Sequence, residues 1–168
     1  HYVKEGQPFE ESCRLQDFLE DILYILSSDP AWENITITKD FDQELEPVSC
    51  DSQQLKQVFI NLLMNAFEAM RGTGTISVKV RKVMHDGQPF AAAWITDTGG
   101  GIDPAIIDNI FNPFFTTKER GTGLGLAISN KIVTNHKGHI EVENVAGKGV
   151  TFIVYLPMKN ITLQEELT

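Results

Sequence analysis

Two glycine-rich stretches decide how this sequence folds: Asp97-Thr98-Gly99-Gly100-Gly101-Ile102 and Gly121-Thr122-Gly123-Leu124-Gly125-Leu126. The second stretch opens an apolar run that reaches Val133, so its backbone amides are expected at a helix N-terminus. Unpaired N–H groups and the helix dipole attract phosphate at such a position. Together the two stretches predict a nucleotide pocket with an anion site at the second one.

The spacing of these glycines excludes the two most familiar nucleotide-binding loops. A Walker A loop needs four residues between its first glycine and a Gly-Lys pair, and a Rossmann fingerprint needs G-x-G-x-x-G directly after a strand. This chain has G-x-G-x-G from Gly121, and the preceding segment 115–120 has no strand character. A different nucleotide-binding fold is therefore expected.

The composition predicts one acidic, globular domain. With 168 residues and 42% hydrophobic content, the chain can bury a sizeable core without a second domain. Its formal charge of -9 and pI near 4.8 argue against a nucleic-acid surface, which normally carries a basic stripe. Lys118, Arg120 and Lys131 lie around the second glycine stretch, where they can create a local positive field or form an ordinary solvated face. Of the three, we interpret Lys118 as the phosphate contact.

Cysteine usage and hydropathy indicate a soluble protein from a reducing compartment. Cys13 and Cys50 are far apart in the sequence and lack the spacing of a zinc or iron–sulfur site. No apolar run approaches the length of a membrane span, and the first residues lack a signal-peptide pattern. We expect a cytoplasmic location with no direct membrane contact from this domain.

Hydrophobic periodicity predicts helices interleaved with antiparallel strands. The predicted helices are 12–26 with Ser12 as its cap, 51–70, 104–110, and 124–136 closed by Gly138; the predicted strands are 34–39, 75–84, 90–96, 139–144 and 150–156. Segment 40–47 is interpreted as an acidic connector. This order is typical of an α+β two-layer sandwich.

A polar stripe marks the longest predicted helix. Asn61, Asn65 and Glu68 stand at i, i+4 and i+7, and so share one narrow stripe opposite the apolar face. Any amphipathic helix has a polar face, but such faces usually carry Glu and Lys, and asparagine is a poor interior helix former. Amide oxygens suit Mg²⁺, which takes one or two protein ligands and completes its shell with phosphate oxygens and water. We therefore interpret Asn65 as a Mg²⁺ ligand.

Asp97 is the candidate for recognising a base. It ends the predicted strand just before the first glycine stretch, where its carboxylate can accept a hydrogen bond from an exocyclic amino group such as that of adenine. Asp-Thr-Gly is also common in plain turns, so this motif alone is weak evidence. The flanking glycines and the second stretch strengthen it, because they let the backbone approach a flat base.

Four motifs follow one another in a recognisable order. They are NLLMNAFEA at 61–69, DTGGGI at 97–102, IFNPFFTTK at 110–118 and GTGLGL at 121–126. In this order they closely resemble the N, G1, F and G2 boxes of the catalytic ATP-binding domain of sensor histidine kinases, and GKGVTF at 147–152 resembles that family's final glycine-threonine box. The resemblance spans residues 12–157, and Asn-Ala-x-Glu-Ala from Asn65 is a mark of the nitrogen-sensor-like subgroup.

The resemblance implies a Bergerat-type ATP-binding fold, with a mixed, mostly antiparallel sheet of about five strands covered on one face by three main helices. It implies Asp97 on the adenine amino group, Thr151 supporting the adenine through water, and Asn65 and Asn61 near Mg²⁺. Phe111, together with Phe114 and Phe115, is expected to anchor a lid from about 102 to 122 that orders around nucleotide, with ordinary core packing as the alternative.

A full set of site residues follows from the resemblance. The implied nucleotide-binding residues are Asn61, Asn65, Glu68, Asp97, Gly99, Gly101, Ile102, Phe111, Thr116, Thr117, Lys118, Gly121, Thr122, Gly123, Leu124, Gly125, Leu126 and Thr151, and the implied catalytic residues are Asn61, Asn65 and Lys118.

Asn61 departs from the pattern of related ATPases. DNA gyrase and mismatch-repair proteins carry a glutamate four residues before the metal asparagine, where it activates water. An amide cannot take that proton, so Asn61 favours phosphotransfer over hydrolysis. Glu68 replaces a phosphate-contacting lysine of many histidine kinases, which leaves its role open.

The histidine that would accept the phosphoryl group is expected on another domain. None of His1, His85, His136 and His139 lies in a His-acidic pair on an amphipathic helix. The expected partners are therefore a histidine-bearing dimerisation domain of the same full-length protein and a response regulator receiver domain, and the isolated fragment is expected to be a monomer. We expect 1–11 to be a linker or cloning remnant, 12–157 the catalytic domain, and 158–168 a tail. An anti-sigma-type protein-serine kinase and a nucleotide-gated interaction module are the alternatives.

Overall fold

The computed structural model describes residue 9 and the ranges 11–113, 125–145 and 147–158. Its strands are β1 (Glu11–Cys13), β2 (Ile35–Phe41), β3 (Val48–Cys50), β4 (Gly74–His85), β5 (Gln88–Asp97), β6 (His139–Val145) and β7 (Gly149–Pro157), and its α-helices are α1 (Leu15–Ser27), α2 (Ser52–Met70) and α3 (Gly125–Asn135). Short 3-10 helices span Pro30–Trp32 and Ile107–Asn109.

Five strands form the main sheet in the order β2-β4-β5-β7-β6. β2 runs parallel to β4, and each of the other neighbouring pairs is antiparallel. The α-helices pack on one face, where inward residues such as Ile76, Ile95 and Phe152 join the core with Leu62 of α2. The prediction of a two-layer α+β sandwich with a mixed, mostly antiparallel sheet is confirmed.

A small second sheet, β1 with β3, was not predicted. Ser12 pairs with Ser49 in this sheet, so it is a strand residue and does not cap α1. The helix begins at Leu15 instead, after Arg14, whose side chain makes no capping hydrogen bond. The predicted start of the first helix was therefore wrong, because strand pairing with a distant segment takes up the backbone around Ser12.

α2 has clear local signals at both ends. Asp51 precedes it, and its carboxylate accepts a hydrogen bond from the Gln54 backbone N–H at 3.1 Å. The helix ends at Arg71, which adopts a left-handed conformation with φ of 55°. The predicted helix over 51–70 is confirmed within one residue.

One predicted helix differs from the structure, and the predicted end of another is confirmed. Segment 104–110 forms turns and the 3-10 helix Ile107–Asn109, because it is too short to propagate an α-helix. After α3, Lys137 takes the left-handed conformation with φ of 65°, and the Gly138 N–H donates to the Val133 carbonyl at 2.9 Å, so Gly138 closes the helix as predicted. A Cβ on Gly138 would lie 1.9 Å from the Tyr155 carbonyl oxygen, so the glycine allows the chain to pass close to β7.

Candidate functional site

Asp97 ends β5 in a buried position. Only 4% of the residue is exposed, and burial raises the pKa of its carboxyl group above the usual value of 3.8. One carboxylate oxygen accepts a hydrogen bond from the Gly99 backbone N–H at 2.8 Å, and hydrogen bonds from the backbone of Gly99 and Val150 oppose the increase in pKa. The group is thus a buried acceptor held at the end of a central strand.

The first glycine stretch packs directly against the C-terminal part of α2. A Cβ on Gly99 would lie 2.9 Å from both the Cβ and the carbonyl oxygen of Ala69, closer than real Cβ contacts come. Glycine at this position therefore lets the loop after β5 lie against the helix backbone. Next to it, the Thr98 hydroxyl accepts a hydrogen bond from the Thr75 backbone N–H at 3.0 Å.

The turn between β6 and β7 holds the same stretch from the other side. The Gly147 N–H donates to the Gly100 carbonyl at 2.7 Å. Asn144 bonds both backbone groups of Ile102: its Oδ1 accepts from the N–H and its Nδ2 donates to the carbonyl, each at 2.6 Å. Sequence reasoning missed Asn144, because its partner lies 42 residues away in the chain.

The second glycine stretch is described only from Gly125, where α3 begins. The Asn61 Nδ2 donates to the Gly125 carbonyl at 3.4 Å and to the Ser129 hydroxyl at 3.3 Å. Asn65 lies one turn further along α2 and is half-buried, whereas Glu68 is exposed. Leu126 packs, half-buried, against the core.

α2 therefore contacts both glycine stretches. It meets Gly99 at Ala69 and Gly125 at Asn61, and these two helix positions lie about 12 Å apart along the axis, because each residue adds about 1.5 Å. Asn65 stands between the two contacts. The three polar residues predicted on one stripe thus lie on the helix that joins the two predicted halves of the pocket.

Thr151 does not face this site. Its hydroxyl lies 2.8 Å from that of Thr96, with which it pairs across the β5–β7 ladder. Side chains alternate along a strand, so Thr96 and Thr151 lie on the sheet face opposite Asp97. The interpretation of Thr151 as an adenine contact is corrected: Val150 has the inward position beside Asp97. The alternation of Val150, Phe152 and Val154 in the sequence could have revealed this.

Phe111 lies half-buried at the edge of the core. Its ring makes an edge contact with Phe152, with the centroids 6.3 Å apart. Ile110, next to it, is 5% exposed. These contacts match the alternative of core packing, and a lid anchored on the same ring stays a prediction. Ile102, at the predicted start of the lid, also packs against the core.

Several predicted site residues lie outside the described ranges. They are Phe114, Phe115, Thr116, Thr117, Lys118, Gly121, Thr122, Gly123 and Leu124. Among the described residues, no group of three or more His, Cys, Asp or Glu side chains is placed to hold a metal ion. Within the same ranges, no helix combines the length and apolar character needed to cross a membrane.

Comparisons with known proteins agree with this arrangement. The family described as histidine kinase-, DNA gyrase B-, and HSP90-like ATPase matches residues 50–160. The signal transduction histidine-protein kinase AtoS of Escherichia coli (strain K12) is 37% identical over 148 residues, which cover 88% of this chain and 24% of that protein. The chain spans between 20% and 34% of the length of the similar curated proteins considered.

Solved structures share the fold. The catalytic domain of histidine kinase ThkA is similar with a TM-score of 0.76 at 33% identity, covering 88% of this chain and 94% of that one. ThkA in complex with the response regulator protein TrrA is similar with a TM-score of 0.73 at 30% identity, covering 89% and 42%. The relatives' names favour a histidine kinase over the serine-kinase and interaction-module alternatives.

Proposed function

The chain belongs to the histidine kinase-, DNA gyrase B-, and HSP90-like ATPase family, as a catalytic domain of the histidine kinase type, and from this premise we propose that it binds Mg-ATP and supplies the γ-phosphate to a histidine. That histidine lies on a dimerisation domain of the same full-length protein, and a receiver domain takes the phosphoryl group next. Membership of the nitrogen-sensor-like subgroup, from the Asn-Ala-x-Glu-Ala pattern at Asn65, is part of the proposal.

The contact of α2 with both glycine stretches carries this proposal. A nucleoside triphosphate needs a base site and a phosphate site at fixed separation, and one rigid helix fixes that separation. Gly99 at Ala69 marks the base side, and Gly125 at Asn61 marks the phosphate side. Asn65, between them, is where a cation on the phosphates would meet an amide oxygen.

Each half of the pocket has its own chemistry. The buried Asp97 carboxylate accepts a hydrogen bond from the adenine amino group, and Gly99, Gly101 and Ile102 lie beside the base. Mg²⁺, when bound, would spread the charge of the phosphates, with Asn65 and Asn61 as its protein ligands. The remaining nucleotide contacts of the proposal are Glu68, Phe111, Thr116, Thr117, Lys118, Gly121, Thr122, Gly123, Leu124, Gly125 and Leu126.

The domain transfers the γ-phosphate to a histidine rather than hydrolysing ATP. Asn61 carries an amide, which takes no proton from water, and its Nδ2 already donates to α3. Catalysis is then mainly positional, with the incoming histidine attacking the γ-phosphorus in line. The described histidines do not match that acceptor: His136 is buried, and His85 and His139 lie on strands rather than on an amphipathic helix.

The partners and boundaries follow from the same proposal. A receiver domain is supported by the solved complex of the similar kinase ThkA with a response regulator. The catalytic domain proposed at 12–157 begins within β1 and ends with β7. Segments 1–11 and 158–168 are proposed as a linker or cloning remnant and a tail, and the location as cytoplasmic.

The decisive experiment is calorimetric titration of ADP and a non-hydrolysable ATP analogue, with and without Mg²⁺. Wild type should bind both saturably, and Asp97→Asn should lose at least about tenfold in affinity, as expected when a charged acceptor is replaced. Asp86→Asn, an exposed aspartate in the β4–β5 turn, is the matched control and should bind like wild type. Binding should then permit transfer to an added acceptor domain; absence of binding in wild type would refute the proposal.

A further inference from the structure

Asn144 holds the first glycine stretch through two hydrogen bonds. Its side-chain amide accepts from the Ile102 N–H and donates to the Ile102 carbonyl, both at 2.6 Å. The N–H and C=O of one residue are the groups that a neighbouring strand would bond in an antiparallel ladder. The amide of Asn144 thus replaces a strand for one residue, at the point where the chain leaves the site.

The position of Asn144 in the sheet explains why it reaches Ile102. Asn144 pairs with Val150 across the β6–β7 ladder, and Val150 lies beside Asp97. A Cβ on Gly149 would lie 2.0 Å from the Asp97 carbonyl oxygen, so this turn also approaches the end of β5 closely. The turn therefore contacts the stretch at its first residue, through Gly149, and at its last, through Asn144.

We propose that Asn144 is a positioning residue for nucleotide binding, which fixes the backbone of Gly100–Ile102 in the conformation that receives the base. This inference rests on the proposed function, because it assigns Asn144 a role in the same pocket. Without the two hydrogen bonds, the Ile102 backbone is no longer held by β6. Gly101, with φ of 76°, can then adopt backbone conformations that other residues cannot. Binding must then order the segment, and the apparent affinity falls by the fraction of molecules in the competent conformation.

The first test removes both hydrogen bonds between Asn144 and Ile102 by truncating the Asn144 side chain. Asn144→Ala should weaken ADP binding by about tenfold, the loss expected from two neutral hydrogen bonds that are partly replaced by water. Glu141→Gln is the matched control on the same strand: its side chain lies on the opposite face near Tyr155 and should leave affinity unchanged. Amide exchange should show faster exchange at Ile102 in Asn144→Ala without nucleotide, while amides of the β4–β5 ladder stay protected.

The second variant separates positioning from packing. In Asn144→Asp, an ionised carboxylate still accepts from the Ile102 N–H but faces the Ile102 carbonyl without a proton to donate. Protonation restores a donor and an acceptor in one group. The ratio of the variant's ADP Kd to that of wild type should therefore fall as the pH is lowered from 8 to 5. Because Asp97 is present in both proteins, its contribution to the pH dependence of Kd cancels in this ratio.

The outcomes distinguish the inference from the proposed function. If Asn144→Ala binds ADP like wild type, or if the Asn144→Asp ratio does not change with pH, Asn144 is not a positioning residue, and the kinase proposal is unaffected. If the Ile102 amide exchanges equally fast in wild type and Asn144→Ala, the two Asn144–Ile102 hydrogen bonds do not form in solution. Wild type that fails to bind ADP refutes the proposed function and the inference with it.

Discussion

The two ends of the proposed site hold their glycine stretches against α2 in different ways. At the Asp97 end, defined by Ala69 and the stretch 97–102, the loop lies against the helix backbone and is also bonded to Thr75, Asn144 and Gly147. At the Asn61 end, defined by Asn61, Gly125 and Ser129, α3 packs on α2, and the two described hydrogen bonds between them are 3.3 and 3.4 Å long, beyond the usual range.

Among the residues that the structure describes, the Asp97 end is therefore the more firmly bonded of the two. A flat base can be received by a rigid surface, because its shape does not change during transfer. The phosphates need contacts that can follow the reaction, and weakly bonded elements shift at low energetic cost. We therefore expect stability to depend on the Asp97 end and to respond little to changes at the Asn61 end.

Alanine at Gly99 should give the largest stability effect. Its Cβ would overlap Ala69, and overpacking of this kind costs about 1–3 kcal/mol in the free energy of unfolding. Gly125→Ala should stay within about 0.5 kcal/mol of wild type, because the nearest described atoms to the new methyl group, on Asn61, are 3.9 Å away. Urea unfolding of Gly99→Ala and Gly125→Ala compares their free energies of unfolding. Gly100→Ala, whose new Cβ would meet no described atom within 4 Å, is the control. Equal losses at Gly99 and Gly125 would contradict the comparison.

Asp97→Asn should stabilise the fold while it impairs binding. Burial raises the pKa of Asp97, so the native state holds its proton to higher pH than the unfolded chain does. The unfolding free energy of wild type should therefore fall as the pH rises from 3.8 through the native pKa. Asparagine can still accept from Gly99 and carries no charge, so Tm at pH 7.5 should rise by about 2 °C or more. A variant that melts lower than wild type would show that the charge is well solvated.

Mild acid should loosen the packing of α3 on α2 first. The buried imidazole of His136 accepts from the Asp51 N–H at 3.0 Å and donates through Nδ1 to the Ile132 carbonyl, which ties α3 to the start of α2. Burial lowers its pKa below 6.5, although the Ile132 carbonyl and Asp51 oppose the shift. The unfolded state thus binds the proton first, and stability present above pH 6.5 is lost as the pH falls.

Amide exchange at pH 7.5 and 5.5 checks this expectation. After correction for the intrinsic pH dependence of exchange, lowering the pH should accelerate amide exchange more in α3 than in β5. In His136→Gln, most of this difference between α3 and β5 should disappear. His139→Gln, on the opposite face, is the control. Uniform acceleration in α3 and β5 would show that acid destabilises the domain as a whole.

Ser129→Ala should have only a small effect. The buried hydroxyl of Ser129 receives one long bond from Asn61, whose Nδ2 keeps the Gly125 carbonyl as a second acceptor. The expected loss is less than about 1 kcal/mol in urea unfolding. A loss above about 2 kcal/mol would mean that the Asn61 end is as firmly held as the Asp97 end.

Local patterns were sufficient for most of the elements and for the stripe on α2. The helical spacing from Leu55 to Met70 and the alternation of Ile76, Val78 and Val80 predicted α2 and β4 closely. The three-residue strands β1 and β3 escaped prediction, because so short a segment has no measurable period and forms only when its partner is present. Thr151 was misplaced because motif resemblance was given more weight than strand alternation.

The sequence by itself determined the family, the order of elements and the chemical groups offered to a nucleotide, since these depend on residues a few positions apart. Only the tertiary structure decided which groups meet: Asn144 with Ile102, Ala69 with Gly99, and Ser12 with Ser49. These contacts depend on strand order and register, where a shift of one residue turns every side chain to the other face. The sequence specifies that register only through the packing of the whole core.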